Sequence, residues 1–413
     1  MNIVGVKRYR RRVTAAGALL VIAALGATAC SSTESNDTAE AVGSTTTLEE
    51  NPATGDSVKI GLVSAEGGAA VSLPAMRQGA EAAVQYVNNN GGGLAGRPIE
   101  LVVCKQQEEP ASASACANQF VEQKVAAVLS PGTSQGPAIV PTIVGAGIPY
   151  VTLNGVSPIE ITSPGVSALS AGLPGTLIAA ATAAKNENMK TFTIFASDGG
   201  GLGAIIEAMG KPIFDGFGVD MTVVPMALGI PDVSPVVTSG LAGKPDGMSI
   251  IADAATCASV LKAVQTTAPD TKKVLNTTCL DQNVLDSVGV QNIAGGIGIA
   301  ATDATSDDPD SVLYRSVLSQ YAPELSATSN ASSGYQTVMA LVRAAAEITG
   351  ALDASSLGSA LKSATDVLMP AGGGVTFTCD GSAFPEMPSI CSRQMLIGEI
   401  DDQGIPRNLQ VTG

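Results

Sequence analysis

The chain of 413 residues contains no histidine. That removes the general base on which serine and cysteine hydrolases of the triad type depend, and the commonest transition-metal ligand. It contains no Cys-x-x-Cys pair, so zinc sites built on that spacing are excluded as well. Basic residues are few: 22 Lys and Arg stand against 37 Asp and Glu. Five of the 22 (Lys7, Arg8, Arg10, Arg11, Arg12) crowd the first twelve positions, where there is no acid. Without that leader, 17 basic residues face 37 acidic ones, a net charge of −20. A chain this acidic lacks the clustered Lys and Arg that neutralise phosphate, so nucleic acid is excluded as a partner, and so is a polybasic hold on a membrane.

What is present begins with the leader. After the basic cluster, Val13–Ala29 is an apolar and small-residue run ending Ala27-Thr28-Ala29-Cys30. A charged n-region, a short apolar core and small residues before the cut form the secretory pattern. A cysteine directly after them resembles a bacterial lipobox, although Ala27 stands where leucine is usual. A transmembrane anchor is the competing reading, but 17 residues rich in Ala and Gly sit at the lower limit of a span. The expectation is a signal peptide over 1–29, lipidation of Cys30 and a location on the outer face of the cell membrane. The export route, general secretory or twin-arginine, stays open. Residues 30–56 are mostly Ser, Thr, Glu, Asn and Gly, with little to bury, and read as a disordered tether.

With Cys30 set aside, six cysteines remain, an even number suited to disulfides in an exported chain. Six allow 15 pairings. Their clustering into near neighbours favours Cys104–Cys116, Cys257–Cys279 and Cys379–Cys391, and Cys104 ends a predicted strand that the Cys116 helix follows.

From Val58 onward, short β-branched runs alternate with helical stretches. Strands are predicted at 58–63, 98–104, 125–129 and 149–152, with helices at 74–89, 111–123 and 137–145. The same grammar resumes with strands at 191–196, 219–224, 248–251, 273–276 and 296–301. On the 74–89 helix, Met76, Ala80, Ala83, Val84 and Val87 share one face. This is α/β patterning, with parallel sheets covered on both faces. A break near 170–175 and a length of roughly 355 residues indicate two doubly wound lobes. Ligands bind such sheets beyond the carboxyl ends of the strands.

Three motifs compete for attention. Gly132-Thr133-Ser134-Gln135-Gly136 matches the GxSxG nucleophile elbow, but a chain without histidine cannot deprotonate the serine, which leaves a small-residue loop whose amides and hydroxyls suit an anion. The glycine run at 199–203 with Ala204, and Asp220 beyond it, fits a dinucleotide fingerprint, against a tight strand-to-helix turn as the plainer reading. Asp307, Asp308 and Asp310 lack the glycine and final glutamate of a calcium loop and suit a helix N-terminus. Neither a metal nor a cofactor is implied.

The segments VKIGLVSAEG (58–67), VNNNGGGLAGRPIELVVC (87–104), VLSPGTSQGPAIVP (128–141) and GIPYVT (147–152), then Gly199–Gly203, Gly334-Tyr335-Gln336 and GGGVTFTCDG (372–381), resemble the type I periplasmic binding proteins of the branched-chain amino acid group. The resemblance covers nearly the whole mature chain. It implies two Rossmann-like lobes joined by three crossovers, the first built from 57–172 and 302–365, the second from 173–301 and 366–413. It also implies a solute-binding protein, not an enzyme, that delivers an amino acid or related carboxylate or amide to an ABC permease. The alternatives are a ligand-sensing receptor subunit using the same clamp, or an exported enzyme of Asp or Cys chemistry.

Carried over residue by residue, the Pro131–Gly136 loop with Thr133 and Ser134 would receive the ligand carboxylate, beside Ser64 at the end of the first strand. The loop after GIPYVT supplies Asn154, Gly155 and Ser157, with Val156 or Ser157 where the group has threonine. Asp281 is the nearest match to the acid that holds an ammonium, with Asp198 and Asp253 in neighbouring turns. The group's second-lobe aromatics are absent there, which leaves Leu153 and Val156 as apolar lining.

Overall fold

The computed structural model describes residues 43–68, 72–198 and 201–413. The expected signal peptide, Cys30 and the expected tether up to residue 42 lie outside the described residues. The chain first builds a parallel sheet: β1 (Val58–Ala65), β2 (Ile99–Gln106), β3 (Ala127–Ser130), β4 (Tyr150–Thr152) and β5 (Val166–Ala168), in the order β2-β1-β3-β4-β5. Between them run α1 (Pro74–Asn89), α2 (Pro110–Glu122), α3 (Gly136–Gly145) and the short α4 (Pro158–Thr162). Proline occupies the first turn of all four helices, where its missing N–H has no helical partner to lose.

Helix α5 (Gly172–Asn186) then opens a second sheet. It is followed by β6 (Thr191–Asp198), α6 (Leu202–Phe217), β7 (Asp220–Ala227), α7 (Ser234–Leu241), β8 (Gly247–Ile251), α8 (Ala254–Thr267), β9 (Lys272–Asn276), α9 (Gln282–Val288) and β10 (Ile297–Ala300). The chain returns to the first lobe with α10 (Pro309–Tyr321), α11 (Ala331–Ala344), α12 (Ala354–Ser363) and the small pair β11 (Val367–Leu368) and β12 (Thr376–Phe377). It ends in the second sheet with β13 (Met395–Ile400) and β14 (Pro406–Thr412), which join antiparallel on one side. That sheet reads β14-β13-β10-β9-β8-β6-β7.

Strand alternation divides each lobe's apolar side chains between two faces. In β1, Leu62 joins a core with Leu129, Tyr314 and Tyr335, whereas Val63 joins Phe120, Ile139 and Tyr150 on the opposite face. In β6, Phe195 packs with Ile250 and Val260, and Ile194 with Phe192 and Phe214. The predicted face of α1 is buried at Ala80, Ala83, Val84 and Val87.

The three disulfides form as expected, Cys104–Cys116, Cys257–Cys279 and Cys379–Cys391, with Cα separations of 5.5, 5.3 and 4.3 Å. Each closes a short loop, for which chain entropy in the unfolded state gives about 3 kcal/mol.

Two boundaries differ from expectation. Residues 366–391 pack with the first lobe: Val375, Phe377 and Cys391 belong to its core, and Ile390 bridges β5 at Ala168. The last passage between lobes therefore falls between Cys391 and Met395, not at 365/366. Residues 43–56, expected as part of a free tether, carry no helix or strand but are held against the first lobe. Arg315 Nε donates to the Ser44 carbonyl at 2.8 Å, Thr46 N donates to Ser316 Oγ at 2.8 Å, and Asn90 Nδ2 donates to the Glu49 carbonyl at 2.8 Å.

Candidate functional site

The chain leaves the first sheet after β5 for α5 and the second sheet after β10 for α10, both times from strand carboxyl ends. The loops at those carboxyl edges carry most of the polar residues singled out in the sequence.

On the first lobe, β1 ends in Ser64 and Ala65, followed by Glu66. The Glu66 carboxylate accepts from Ser64 Oγ at 2.8 Å, Arg77 Nε at 2.5 Å and Lys105 Nζ at 3.0 Å. Arg77, in the first turns of α1, also donates to Glu81 at 2.6 Å. Burial raises the Glu66 pKa, but the donors from Arg77, Lys105 and Ser64 outweigh it and hold the group at about 2. Ser64 is itself buried and tied to this network.

Past β2, Gln106 and Glu108 turn toward the loop that follows β3. Glu108 Oε1 accepts from Gln106 Nε2 and from Thr133 Oγ1 at 2.6 Å; Oε2 accepts from Ser134 N at 3.0 Å and from Ser134 Oγ. Its backbone has φ of 56°, the left-handed region that glutamate seldom adopts. That conformation is fixed from both sides: Glu108 N donates to Gln106 Oε1 at 2.7 Å, and Gln135 Nε2 donates to the Glu108 carbonyl at 3.1 Å. Burial pushes the Glu108 pKa up, but the donors from Ser134, Thr133 and Gln106 prevail and leave it below the ordinary carboxyl value. The expected anion loop thus closes on a carboxylate of the chain itself.

The loop after β4 behaves in a similar way. Ser157 caps α4, and its side chain and backbone N donate to Glu160 Oε2 at 2.7 and 3.1 Å, with Val156 N at 3.3 Å. Asn154 Oδ1 accepts from Ser170 Oγ at 2.6 Å, across the first passage between lobes. Gly155 is packed so that a Cβ would lie 2.9 Å from Ile161 Cγ2. Of the expected apolar lining, Leu153 is buried in the core at 2% exposure and does not line the edge, whereas Val156 is 64% exposed.

On the second lobe, Asp198, Asp253 and Asp281 follow β6, β8 and β9, which are neighbours in the sheet, so the three share one edge. Each already serves a local role. Asp198 Oδ1 accepts from Gly203 N at 3.1 Å as α6 begins. Asp253 caps α8, accepting from Thr256 N at 2.9 Å and Thr256 Oγ1 at 2.8 Å. Asp281 caps α9, accepting from Asn283 N and Nδ2, both at 2.9 Å. None of the described hydrogen bonds links these aspartates to the first lobe.

The dinucleotide reading fails on register. Asp220 pairs with Thr191 and Ala227 with Asp198 along β6 and β7, so Asp220 sits at the amino end of its strand, a full strand length from the glycine turn. Gly201, with φ of 85°, is simply the αL residue before α6; Gly199 and Gly200 lie outside the described residues. Asp308 caps α10 and Asp310 lies in its first turn, as the sequence suggested. Among the described residues, no group of three or more Cys, Asp or Glu is placed to hold a metal ion. The two main surface depressions, of about 640 and 570 Å³, lie near the amino ends of the strands, around Thr191, Asp220 and Pro235 and around Lys59, Gln123 and Asp353, away from this edge.

Residues 57–404 match the family model described as periplasmic binding protein. The chain belongs to that family. Its fold is shared with solved structures at low identity. One is the branched-chain amino acid transporter substrate binding protein LivJ from Streptococcus pneumoniae in complex with isoleucine, at 16% identity and TM-score 0.68, covering 86% of this chain and 99% of that one. Another is the fatty acid ABC transporter substrate-binding protein from Thermomonospora curvata, at 16% and 0.67, covering 88% and 93%. A third is a solute binding protein from R. palustris in complex with 4-hydroxybenzoate, at 19% and 0.66, covering 87% and 96%. No relative was found among curated protein sequences. The two lobes, the parallel sheets and their crossovers accord with the resemblance read from the sequence. Glu66, Arg77, Lys105, Glu108 and Glu160 were not anticipated as members of the edge.

Proposed function

We propose that this periplasmic binding protein is the extracytoplasmic, lipid-anchored solute receptor of an ABC importer. It takes a small amino-acid-like solute, carboxylate- or amide-bearing, between its lobes and passes it to a membrane permease. What supports this reading is that the passages between lobes leave both sheets from strand carboxyl ends, beside the polar residues Ser64, Thr133, Ser134, Asn154 and Ser157 of the first lobe and Asp198, Asp253 and Asp281 of the second. Hydroxyls and carboxylates on opposing lobes suit a solute with both donors and acceptors, because closure then removes both ends from water at once. The named solutes of the structural neighbours, isoleucine, 4-hydroxybenzoate and fatty acid, are small organic acids, in keeping with that size class. The serine hydroxyls described at the edge are spent on fastening loops and a helix start to neighbouring carboxylates, and binding without turnover is the simplest use of such an edge. Anchoring rests on the leader and Cys30: one acyl chain holds weakly, two hold stably.

The test is uptake of labelled amino acids and their amides by cells lacking the protein, restored with the native chain or Cys30→Ala. Loss of uptake of at least one solute, restored by native protein found in the membrane fraction while Cys30→Ala is shed to the medium, is the expected result. Unchanged uptake of every solute would refute import, and equal partitioning of both forms would refute the anchor.

A further inference from the structure

We propose that Glu108 is a specificity-determining residue: its carboxylate fills the donor set of the Thr133–Ser134 loop, so the native protein accepts a solute that turns an amide or ammonium toward this loop and rejects one that presents a carboxylate there. The inference rests on the reading that solute is held at this edge, and it names which end of the solute meets the first lobe.

An ionised carboxylate offers about four lone-pair positions, two on each oxygen. Glu108 has all of them engaged: Gln106 Nε2 and Thr133 Oγ1 on Oε1, Ser134 N and Ser134 Oγ on Oε2. The count matters from the other side too. The Ser134 amide and hydroxyl and the Thr133 hydroxyl have each one proton to give, and each gives it to Glu108. A second carboxylate arriving at Ser134 would find the Thr133 and Ser134 hydroxyls and the Ser134 amide already given to Glu108, and a like charge a few ångströms away. An ammonium arriving at the same place meets favourable charge, which needs no free lone pair, and a neutral amide brings no like charge to be repelled.

The arrangement is built in. Glu108 keeps a left-handed backbone, and that backbone is held by one group from each of two glutamines: Gln106 Oε1 accepts from its N–H and Gln135 Nε2 donates to its carbonyl. A glutamate swinging freely at a cleft mouth would not need such fastening. None of the described ion pairs includes Glu108, and the cations Arg77 and Lys105 at this edge are both committed to Glu66, which lies past the end of β1. The negative charge of Glu108 is therefore left for the solute to answer.

The experiment compares probe pairs that differ only in carboxylate against amide, L-leucine with L-leucinamide, by calorimetry on the native protein and on Glu108→Ala and Glu108→Gln. Formate is titrated in parallel while the Ser134 backbone amide is followed by NMR, and melting curves verify that the variants fold. The native chain should prefer leucinamide at least tenfold, Glu108→Ala should shift that ratio toward leucine by tenfold or more, and Glu108→Gln should fall between. Formate should move the Ser134 resonance only in the variants. Native protein that binds leucine as tightly as leucinamide, or a ratio unmoved by both substitutions, would overturn the proposal. Should neither leucine nor leucinamide bind, the solute class proposed for the protein fails, and the formate titration still decides the role of Glu108: equal responses in native protein and variants would reject it.

Discussion

Glu160 shows what a single buried carboxylate does to this fold. It is fully out of solvent, and its donors are the Ser157 hydroxyl and backbone N, the Val156 N and the Tyr150 hydroxyl, the last at 3.3 Å. Burial is the stronger influence, so its pKa lies above the ordinary value of 4.5 despite them. The folded state then keeps the proton to higher pH than the unfolded chain does, so stability falls as pH rises from about 4.5 through the raised pKa and levels off beyond it. Glu160→Gln should abolish that slope at little cost, since glutamine still accepts from the Ser157 amide. Glu160→Ala should cost about 2–4 kcal/mol by stranding buried donors. Urea unfolding at several pH values between 4.5 and 8 measures both, and identical slopes for the native protein and Glu160→Gln would discard the account. The role of Glu160 was not anticipated, although Ser157-Pro158-Ile159-Glu160 has the S-x-x-E spacing of a capping box, a local signal that could have placed it. No such signal marks Glu108: its partners Thr133 and Ser134 lie 25 and 26 residues further on, and nothing local distinguishes it from Glu109.

At the scale of elements, the closest contact is between α1 and α11, and glycine makes it possible. A Cβ at Gly334 would come 1.8 Å from the Met76 carbonyl oxygen, and one at Gly79 would come 2.1 Å from that of Ala331, so the two helices meet backbone to backbone. Glycine to alanine at an exposed helix interior gains about 1 kcal/mol from propensity. Here the sign reverses: Gly334→Ala must push the helices apart and should cost upward of about 2 kcal/mol, as overpacking does. A melting temperature equal to or above that of the native protein would contradict this contact. The sequence carried half of the information. Periodicity placed α1 at its observed bounds, Pro74–Asn89, because its apolar face repeats cleanly over 16 residues. It gave no account of Gly79, whose reason lies more than 250 residues away. The strands β5, β11 and β12, of two or three residues each, were missed because so short a run carries no period.

For the whole molecule, two lobes and an α/β class followed from the alternation of strand and helix, and the expected breaks at 172/173 and 301/302 fall beside the start of α5 and the end of β10; the last passage was misplaced, since a crossover is a matter of which sheet a strand joins. Residues 366–391 contain strands and a disulfide like any other part of the second half, yet Phe377 and Cys391 fill the first lobe's core. The amino-terminal segment was misread for the opposite reason: 43–56 has almost nothing apolar to bury, and it is held through its backbone. Arg315, 3% exposed, spans the Ser44 carbonyl at 2.8 Å and the Ala304 carbonyl at 2.9 Å, and thereby ties the segment to the second passage between lobes. Asn51 N adds a bond to the Asn89 carbonyl at 3.0 Å, at the end of α1. If Cys30 is lipidated, 30–42 separates anchor from fastening, at most about 45 Å when fully extended. Arg315→Ala should free the segment without unfolding the lobes. A protease that cuts after glutamate should then cleave at Glu49 and Glu50 on the order of tenfold faster, the equivalent of about 1.4 kcal/mol of local opening. Cleavage at the same rate in both proteins would mean that the segment opens independently of Arg315, and its fastening would then have to lie in the other backbone bonds, at Thr46, Glu49 and Asn51.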